Sequence, residues 1–264
     1  MLHRAIGIFD SGVGGLTVCK EIIRQLPGEN LVYLGDTARV PYGTKSAQTV
    51  ERYALEAAGF LVDQGVKLLV VACNTASAVA LPALRERFQL PVIGVIEPGA
   101  RRAANSRNRR IGVIGTEGTI GSGRYEEAIR SLLPEAEVIS VACPLFVPLA
   151  EEGWAEHEVA RLTSLEYLQS LIAAQVDTLV LGCTHYPLLR KTLQQVMGPD
   201  VLLVDSAEET ARCVAELFRE QGLQRPEHGG QRDFYVTDVP HRFERVGRAF
   251  LGRELNKVEQ VLIG

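Results

Sequence analysis

Val70-Val71-Ala72-Cys73-Asn74-Thr75-Ala76 and Val180-Leu181-Gly182-Cys183-Thr184-His185-Tyr186 share one plan. Each is an apolar run closed by a small residue, then a cysteine, then polar residues, then a segment able to turn into a helix. A buried parallel strand hands over to a helix in this way. Both thiols therefore fall at the carboxyl ends of strands, where the loops of an open α/β sheet leave a crevice and helix N-termini point into it. The cysteines lie 110 residues apart, and the spacing recurs. Ile6-Gly7-Ile8-Phe9-Asp10-Ser11-Gly12-Val13-Gly14-Gly15 is echoed by Ile111-Gly112-Val113-Ile114-Gly115-Thr116-Glu117-Gly118-Thr119-Ile120 at an offset of 105. Val92-Ile93-Gly94-Val95-Ile96-Glu97 is echoed by Val201-Leu202-Leu203-Val204-Asp205-Ser206 at 109. Three paired landmarks in one order predict two pseudo-symmetric α/β halves with mainly parallel sheets. If the halves face each other, so do their cysteines.

The 264 residues suffice for two modest domains, and 46% hydrophobic with 23% charged residues is ordinary for a globular chain. A net charge of −4, from 28 basic and 32 acidic residues, argues against nucleic acid as the main partner. Arg101-Arg102 and residues 107–110 form only a local basic cluster, read as a solvated helix end. No apolar run approaches the roughly 20 residues that cross a bilayer, and residues 1–4 lead into a strand without a signal-peptide pattern; a cytoplasmic protein is expected. Five cysteines without framework spacing or Cys-x-x-Cys fit reduced thiols and give no reason to expect a metal.

The first strand, 5–9, enters Asp10-Ser11-Gly12-Val13-Gly14-Gly15, where glycines permit positive φ and close backbone approach, and Asp10 and Ser11 are natural caps. Such a loop suits a carboxylate or phosphate, but it lacks the Gly-Lys-Ser/Thr of a Walker loop and the Gly-x-Gly-x-x-Gly of a dinucleotide site. A strand at 31–34 precedes the polar loop 35–43, which contains Asp36, Pro41, Tyr42 and Gly43 and reads equally as a functional loop or a turn. Further elements are a helix at 46–64, an interrupted helix around Pro82, a strand at 92–96 followed by a helix opening at Glu97-Pro98-Gly99, and a strand at 111–114 whose exit holds Thr116 and Thr119. A strand ends near Cys143, helices cover 158–174 and 207–221, and a strand covers 201–204. The stretch 222–230 reads as a linker to a small tail: strands at 233–236 and 258–263 around a short helix near Arg245. Two short strands cannot form a stable sheet alone, so the tail is expected to pack on the first half. The expected division is residues 1–97 with 208–264, and 98–207.

Two facing thiols suit inversion of a carbon beside a carboxylate. Removing its proton leaves a planar carbanion, and returning one to the opposite face makes the mirror image. A thiolate on one side and a thiol on the other suffice, with roles exchanged in reverse. Cysteine, with an ordinary pKa of about 8.5, serves in either state near neutrality. A nearby cation or helix N-terminus must help form the thiolate, and His185 is a sequence neighbour able to do so. The carbon acid is very weak, so donors that grip the enediolate-like carboxylate are also needed; the amides at Asn74-Thr75 and Thr184-His185, beginning two helices, are candidates. Singly, a strand-end cysteine is a small core residue, as Cys19, Cys143 and Cys213 are read, and Asp10 is an N-cap and Glu151 a solvated charge. Cys73 and Cys183 stand out as a pair in matching contexts.

Together these motifs, spanning essentially the whole chain and joined by Gly35 to Gly43, Pro148 to Glu151 and Leu181 to Pro187, closely resemble the glutamate racemases of the cofactor-independent aspartate/glutamate racemase superfamily. The resemblance implies two flavodoxin-like domains with glutamate at their interface, no cofactor, and homodimers in more than one arrangement. It implies that Cys73 handles the proton of D-glutamate and Cys183 that of L-glutamate, assisted by Asp10 and His185, with Asp36 and Glu151 as lesser contributors. Substrate contacts carry over onto Asp10, Ser11, Pro41, Tyr42, Gly43, Asn74, Thr75, Thr116, Thr119, Thr184 and His185. The product would feed peptidoglycan synthesis.

An aspartate racemase would use the same two thiols on a substrate one methylene shorter, worth only about 1–3 kcal/mol in a pocket. A decarboxylase relative would need one thiol. A pyridoxal phosphate racemase would need a Schiff-base lysine, and Lys20, Lys45, Lys67, Lys191 and Lys257 occupy no recognisable cofactor motif. A two-lobed amino-acid-binding module would have no reason to place a thiol at both strand ends.

Overall fold

Strands β1 (Ile6–Asp10), β2 (Leu31–Gly35), β3 (Leu68–Val71) and β4 (Val92–Gly94) alternate with helices α1 (Leu16–Gln25), α2 (Ala47–Asp63), α3 (Asn74–Val79) and α4 (Leu81–Arg87). β1, β2 and β3 are buried along their whole length, as parallel strands covered on both faces must be. The same alternation follows in α5 (Ile96–Ala103), β5 (Arg110–Gly115), α6 (Glu117–Gly121), α7 (Arg124–Leu132), β6 (Glu137–Ala142), α8 (Phe146–Glu151), α9 (Glu158–Ala173), β7 (Thr178–Gly182), α10 (Arg190–Met197) and β8 (Leu202–Asp205). The chain ends with α11 (Ser206–Gln221), β9 (Arg232–Val236), α12 (Pro240–Leu251) and β10 (Val258–Gln260). This computed structural model describes residues 2–227, 229–255 and 257–264; of the expected linker 222–230, His228 lies outside the described residues, as does Met1 of the N-terminal stretch.

All strand pairs are parallel, in a six-stranded sheet β10-β9-β2-β1-β3-β4 and a four-stranded sheet β6-β5-β7-β8. The order β2-β1-β3-β4 repeats as β6-β5-β7-β8, so the sequence echo is a topological repeat. Equivalent glycines serve equivalent purposes. A Cβ on Gly7 of β1 would stand 3.0 Å from Val66, and one on Gly112 of β5 would stand 3.0 Å from Leu179 and 3.1 Å from Leu171. The tail joins the first sheet: β9 pairs with β2, Leu31 opposite Arg232, and β10 pairs with β9. Helix α11 packs against both α1 and α5.

Several expected boundaries shift for local reasons. The strand at 92–96 ends at Gly94, because Ser77 Oγ accepts the Val95 amide at 3.2 Å and α5 starts at Ile96, before Glu97-Pro98-Gly99. The interruption near Pro82 is the junction of α3 and α4 at Ala80. The tail helix is long rather than short, twelve residues, and the last strand stops at Gln260. Among Gly12, Gly14 and Gly15 none has a positive φ; the loop uses glycine for close approach alone. The linker is fastened: the Arg225 amide donates to Glu29 Oε1 at 2.7 Å. In the basic cluster, Arg109 pairs with Glu135 and Arg110 with Glu137. No helix of the described residues is long and apolar enough to cross a membrane.

Candidate active site

Cys73 and Cys183 follow β3 and β7, the equivalent strands of the two sheets, and both line one cavity between the halves. Cys73 is the N-cap of α3, where its Sγ accepts the Ala76 amide at 3.4 Å and lies 3.8 Å from Ser11 Oγ. A thiolate there would meet the positive end of a helix. The other side is built differently. Thr184 and His185 do not begin an α-helix: a 3-10 turn, Tyr186–Leu189, intervenes, with Pro187 inside it, and α10 starts only at Arg190. The help for Cys183 comes from a side chain, His185 Nδ1 at 3.8 Å from its sulfur. His185 Nε2 stands 3.1 Å from Glu151 Oε1, at the end of α8.

Ser11, Pro41, Tyr42, Gly43, Asn74, Thr75, Thr116, Thr184, His185 and Glu151 line the same cavity. Asp10, Asp36 and Thr119 stand behind its wall. Asp10 Oδ2 accepts the Gly12 amide at 2.9 Å, while the buried Oδ1 has no hydrogen-bond partner among the described residues. Asp36 braces the loop 35–43, accepting from Tyr42 at 2.5 Å, Arg39 Nε at 2.6 Å and Thr237 at 2.9 Å. Thr119 meets Thr75 at 3.2 Å and Thr116 at 3.0 Å, and Thr75 meets Thr116 at 2.9 Å. These hydroxyls tie the halves together and leave donors at the rim of the cavity. The halves also touch where only glycine fits. A Cβ on Gly14 would lie 2.2 Å from Thr184 Oγ1, and one on Gly43 would lie 2.7 Å from the Cβ of Thr116.

Burial, with the Asp10 carboxylate beside it, pushes the Cys73 thiol up to about 12. Asp10 is itself raised by burial, which the field of His185 and hydrogen bonds from Gly15, Gly12 and Ser11 oppose. Burial works against the His185 cation, but Cys183, Glu151 and Asp10 outweigh it and hold the imidazole up to about 10. The site thus favours a neutral thiol at Cys73 and an imidazolium beside the sulfur of Cys183. That unlike pairing is the arrangement a proton relay between two faces needs.

Four contributors carry no signal in the sequence. Tyr125 of α7, buried in the second half, donates to Asn74 Oδ1 at 2.7 Å. Val147 of α8 lines the cavity. From the tail helix, Arg242 Nη2 donates to Glu151 Oε2 at 3.1 Å, and Phe250 meets the His185 ring edge-on with centroids 5.1 Å apart. Tyr125, Arg242 and Phe250 each act across more than 50 residues of chain, where only the amphipathic pattern of the helix shows in the sequence. Cys19 and Cys143 are buried core residues away from the cavity, and Cys213 sits half-buried on α11.

Residues 6–214 match the Asp/Glu/Hydantoin racemase family. The chain is 63% identical over 263 residues to the glutamate racemase of Geobacter metallireducens, covering 99% of this chain and 97% of that one. The solved glutamate racemase of Bacillus anthracis superposes with a TM-score of 0.95 at 42% identity, over 99% of this chain and 98% of that one. That of Francisella tularensis, in complex with D-glutamate, superposes with a TM-score of 0.94 at 39% identity, over the same shares. With two equivalent thiols in one cavity, a repeated parallel fold and full-length likeness on both sides, the chain belongs to the Asp/Glu/hydantoin racemase family and, within it, to the glutamate racemases.

Proposed function

We propose that the chain interconverts L- and D-glutamate by two proton transfers at Cα, with no cofactor. The observation that carries this reading is the single cavity lined by both Cys73 and Cys183. In the L-to-D direction Cys183, as thiolate beside the His185 imidazolium, takes the Cα proton and becomes a thiol. The carbanion's charge spreads into the carboxylate as an enediolate. Cys73, as thiol, gives its proton to the opposite face and becomes the thiolate, so that the return reaction starts from the exchanged state. Asp10 acts on the Cys73 side and Glu151 on the His185 side. The amides and hydroxyls of Ser11, Asn74, Thr75, Thr116 and Thr184, with the Pro41-Tyr42-Gly43 loop, hold the carboxylates and the ammonium. Asp36 positions that loop, and Thr119 positions Thr75 and Thr116. Gripping the enediolate more tightly than the ground-state carboxylate supplies the part of the rate that thiolate basicity cannot.

The moving units are residues 1–97 with 208–264, and 98–207, and the glycine contacts between them support closure on the substrate. The enzyme works in the cytoplasm, where D-glutamate enters peptidoglycan and so cell-wall biogenesis and cell shape. Val159, Leu162, Leu165 and Ile172, exposed on one side of α9, support a homodimer, which sedimentation analysis tests. The main experiment is circular dichroism and proton NMR in D2O on glutamate and aspartate, without pyridoxal phosphate or added metal. Racemisation of glutamate with exchange of Cα–H is expected; turnover of aspartate alone would overturn the substrate, and binding without exchange would leave only an amino-acid-binding module.

A further inference from the structure

The two thiols are supported from different parts of the chain. The described contacts of Cys73 come from Ser11 and Ala76 of the first half. Cys183 is faced by His185, and His185 is gripped twice from α12: directly by Phe250, and through Glu151 by Arg242. Helix α12 belongs to the tail that lies on the first sheet, while Glu151 and His185 belong to the second half, so this contact crosses between them.

We propose that Arg242 is a positioning residue for the Cys183 side of the site: it holds the Glu151 carboxylate on His185 Nε2, which turns Nδ1 toward the thiol. The geometry carries this. One oxygen of Glu151 takes Arg242 Nη2 at 3.1 Å and the other takes His185 Nε2 at 3.1 Å, so the carboxylate bridges the two. A partner on Nε2 fixes the rotation of the imidazole, and with it the distance from Nδ1 to the sulfur. Phe250, buried against the ring, fixes the remaining freedom. Without Arg242, the partly exposed Glu151 is free to turn to solvent, and the ring loses the contact that orients it. Arg242 itself is largely exposed, so its removal leaves the core untouched and costs little stability. The effect falls on one thiol because α12 reaches only one of them among the described residues.

This inference rests on the two-thiol reading, but its test does not depend on turnover. Arg242→Met and Arg242→Lys are compared with the parent protein by iodoacetamide alkylation at neutral pH, with peptide mapping to separate Cys73 from Cys183. Arg242→Met is expected to slow alkylation of Cys183 about tenfold, the low end of what losing the partner that orients a functional histidine costs, and to leave Cys73 within about twofold. Arg242→Lys, which keeps the charge, is expected to restore most of the rate. In racemisation the loss should appear in kcat with KM little changed. Unchanged alkylation of Cys183, or an equal fall at both thiols, would overturn the proposal, and loss of kcat with normal Cys183 reactivity would assign Arg242 a structural role only. If the parent protein failed to racemise glutamate, the functional reading would fall while the selective effect on Cys183 would still stand.

Discussion

Cys73 and Cys183 end equivalent strands of two sheets with the same strand order, yet each thiol has a partner of a different kind: a helix amide for Cys73, an imidazole for Cys183. Racemisation needs one proton donor and one acceptor at the same moment, so neither thiol can be spared. Cys73→Ala or Cys183→Ala alone should therefore lower racemisation by about 10³-fold or more, at the upper part of the range for lost general acid–base groups. Glutamate binding, read by calorimetry, should persist in both. Near-normal turnover in either variant would contradict the two-base mechanism.

Asp10→Asn separates charge from geometry. Its carboxylate is the second cause, after burial, of the raised Cys73 thiol, so a neutral amide should make Cys73 easier to ionise. Alkylation of Cys73 at pH 8 should quicken while racemisation falls, since the group that assists proton return is gone. A slower Cys73 would show that Asp10 activates the thiol.

The parts that could be read from residues alone are those where one physical demand dominates. β1, β3 and β7 are buried on both faces, so they appear as unbroken apolar runs, and the small residue before each cysteine marks a strand exit. The loop glycines and the close approach they permit are legible, but what they approach is not: the contact of Gly14 with Thr184 joins positions 170 residues apart. The same limit hid the Arg242–Glu151–His185 chain. The 3-10 turn after Cys183 escaped because polar residues after a strand suit either a turn or a helix start, and the choice depends on how Tyr186 packs on Phe146 and donates to the Cys143 carbonyl at 2.8 Å.

Gly14→Ala should close the cavity to catalysis without unfolding the protein. The new methyl group would stand 2.2 Å from Thr184 Oγ1 and 2.5 Å from His185 Nδ1, so the two halves would have to part or His185 would have to turn. A fall in kcat/KM of about 10²-fold is expected, the order lost by a misplacement of roughly 1 Å. Preserved turnover would mean that closure tolerates a looser contact here.

Stability should fall on the alkaline side, and the sign can be worked out. His185 is raised to about 10 from its ordinary 6.5, so its contribution is complete below about pH 6.5 and is lost as pH climbs through 10. Burial holds Cys19, Cys73 and Cys143 each up to about 12, so the unfolded chain ionises these thiols first, which also favours unfolding above pH 9. The melting temperature should decline from pH 7 to 10. In His185→Gln the decline should be shallower, so the gap between the two proteins narrows with rising pH; a constant gap would show that His185 is not held as a cation.

Lys67 contributes to stability at a distance from the chemistry. It occupies no recognisable cofactor motif in the sequence, and it is sealed in an ion pair with Glu29 at 2.7 Å, both side chains 1% exposed. Its Nζ also donates to the carbonyls of Leu2 at 2.8 Å and Leu223 at 2.9 Å, and it lies 4.7 Å from the centre of the Phe218 ring. The pair thereby fastens the segment after α11 to the first half. Lys67→Met would strand a buried carboxylate and two carbonyls, and breaking a buried pair from one side costs about 3–5 kcal/mol. Lys67→Met with Glu29→Gln should recover much of that loss, because no charge is then left unpaired and the side-chain amide oxygen can still accept the Arg225 N–H. Urea unfolding of the single and double variants measures both effects, and a double variant no more stable than the single one would show that the carbonyl contacts, rather than the ion pair, hold the tail in place.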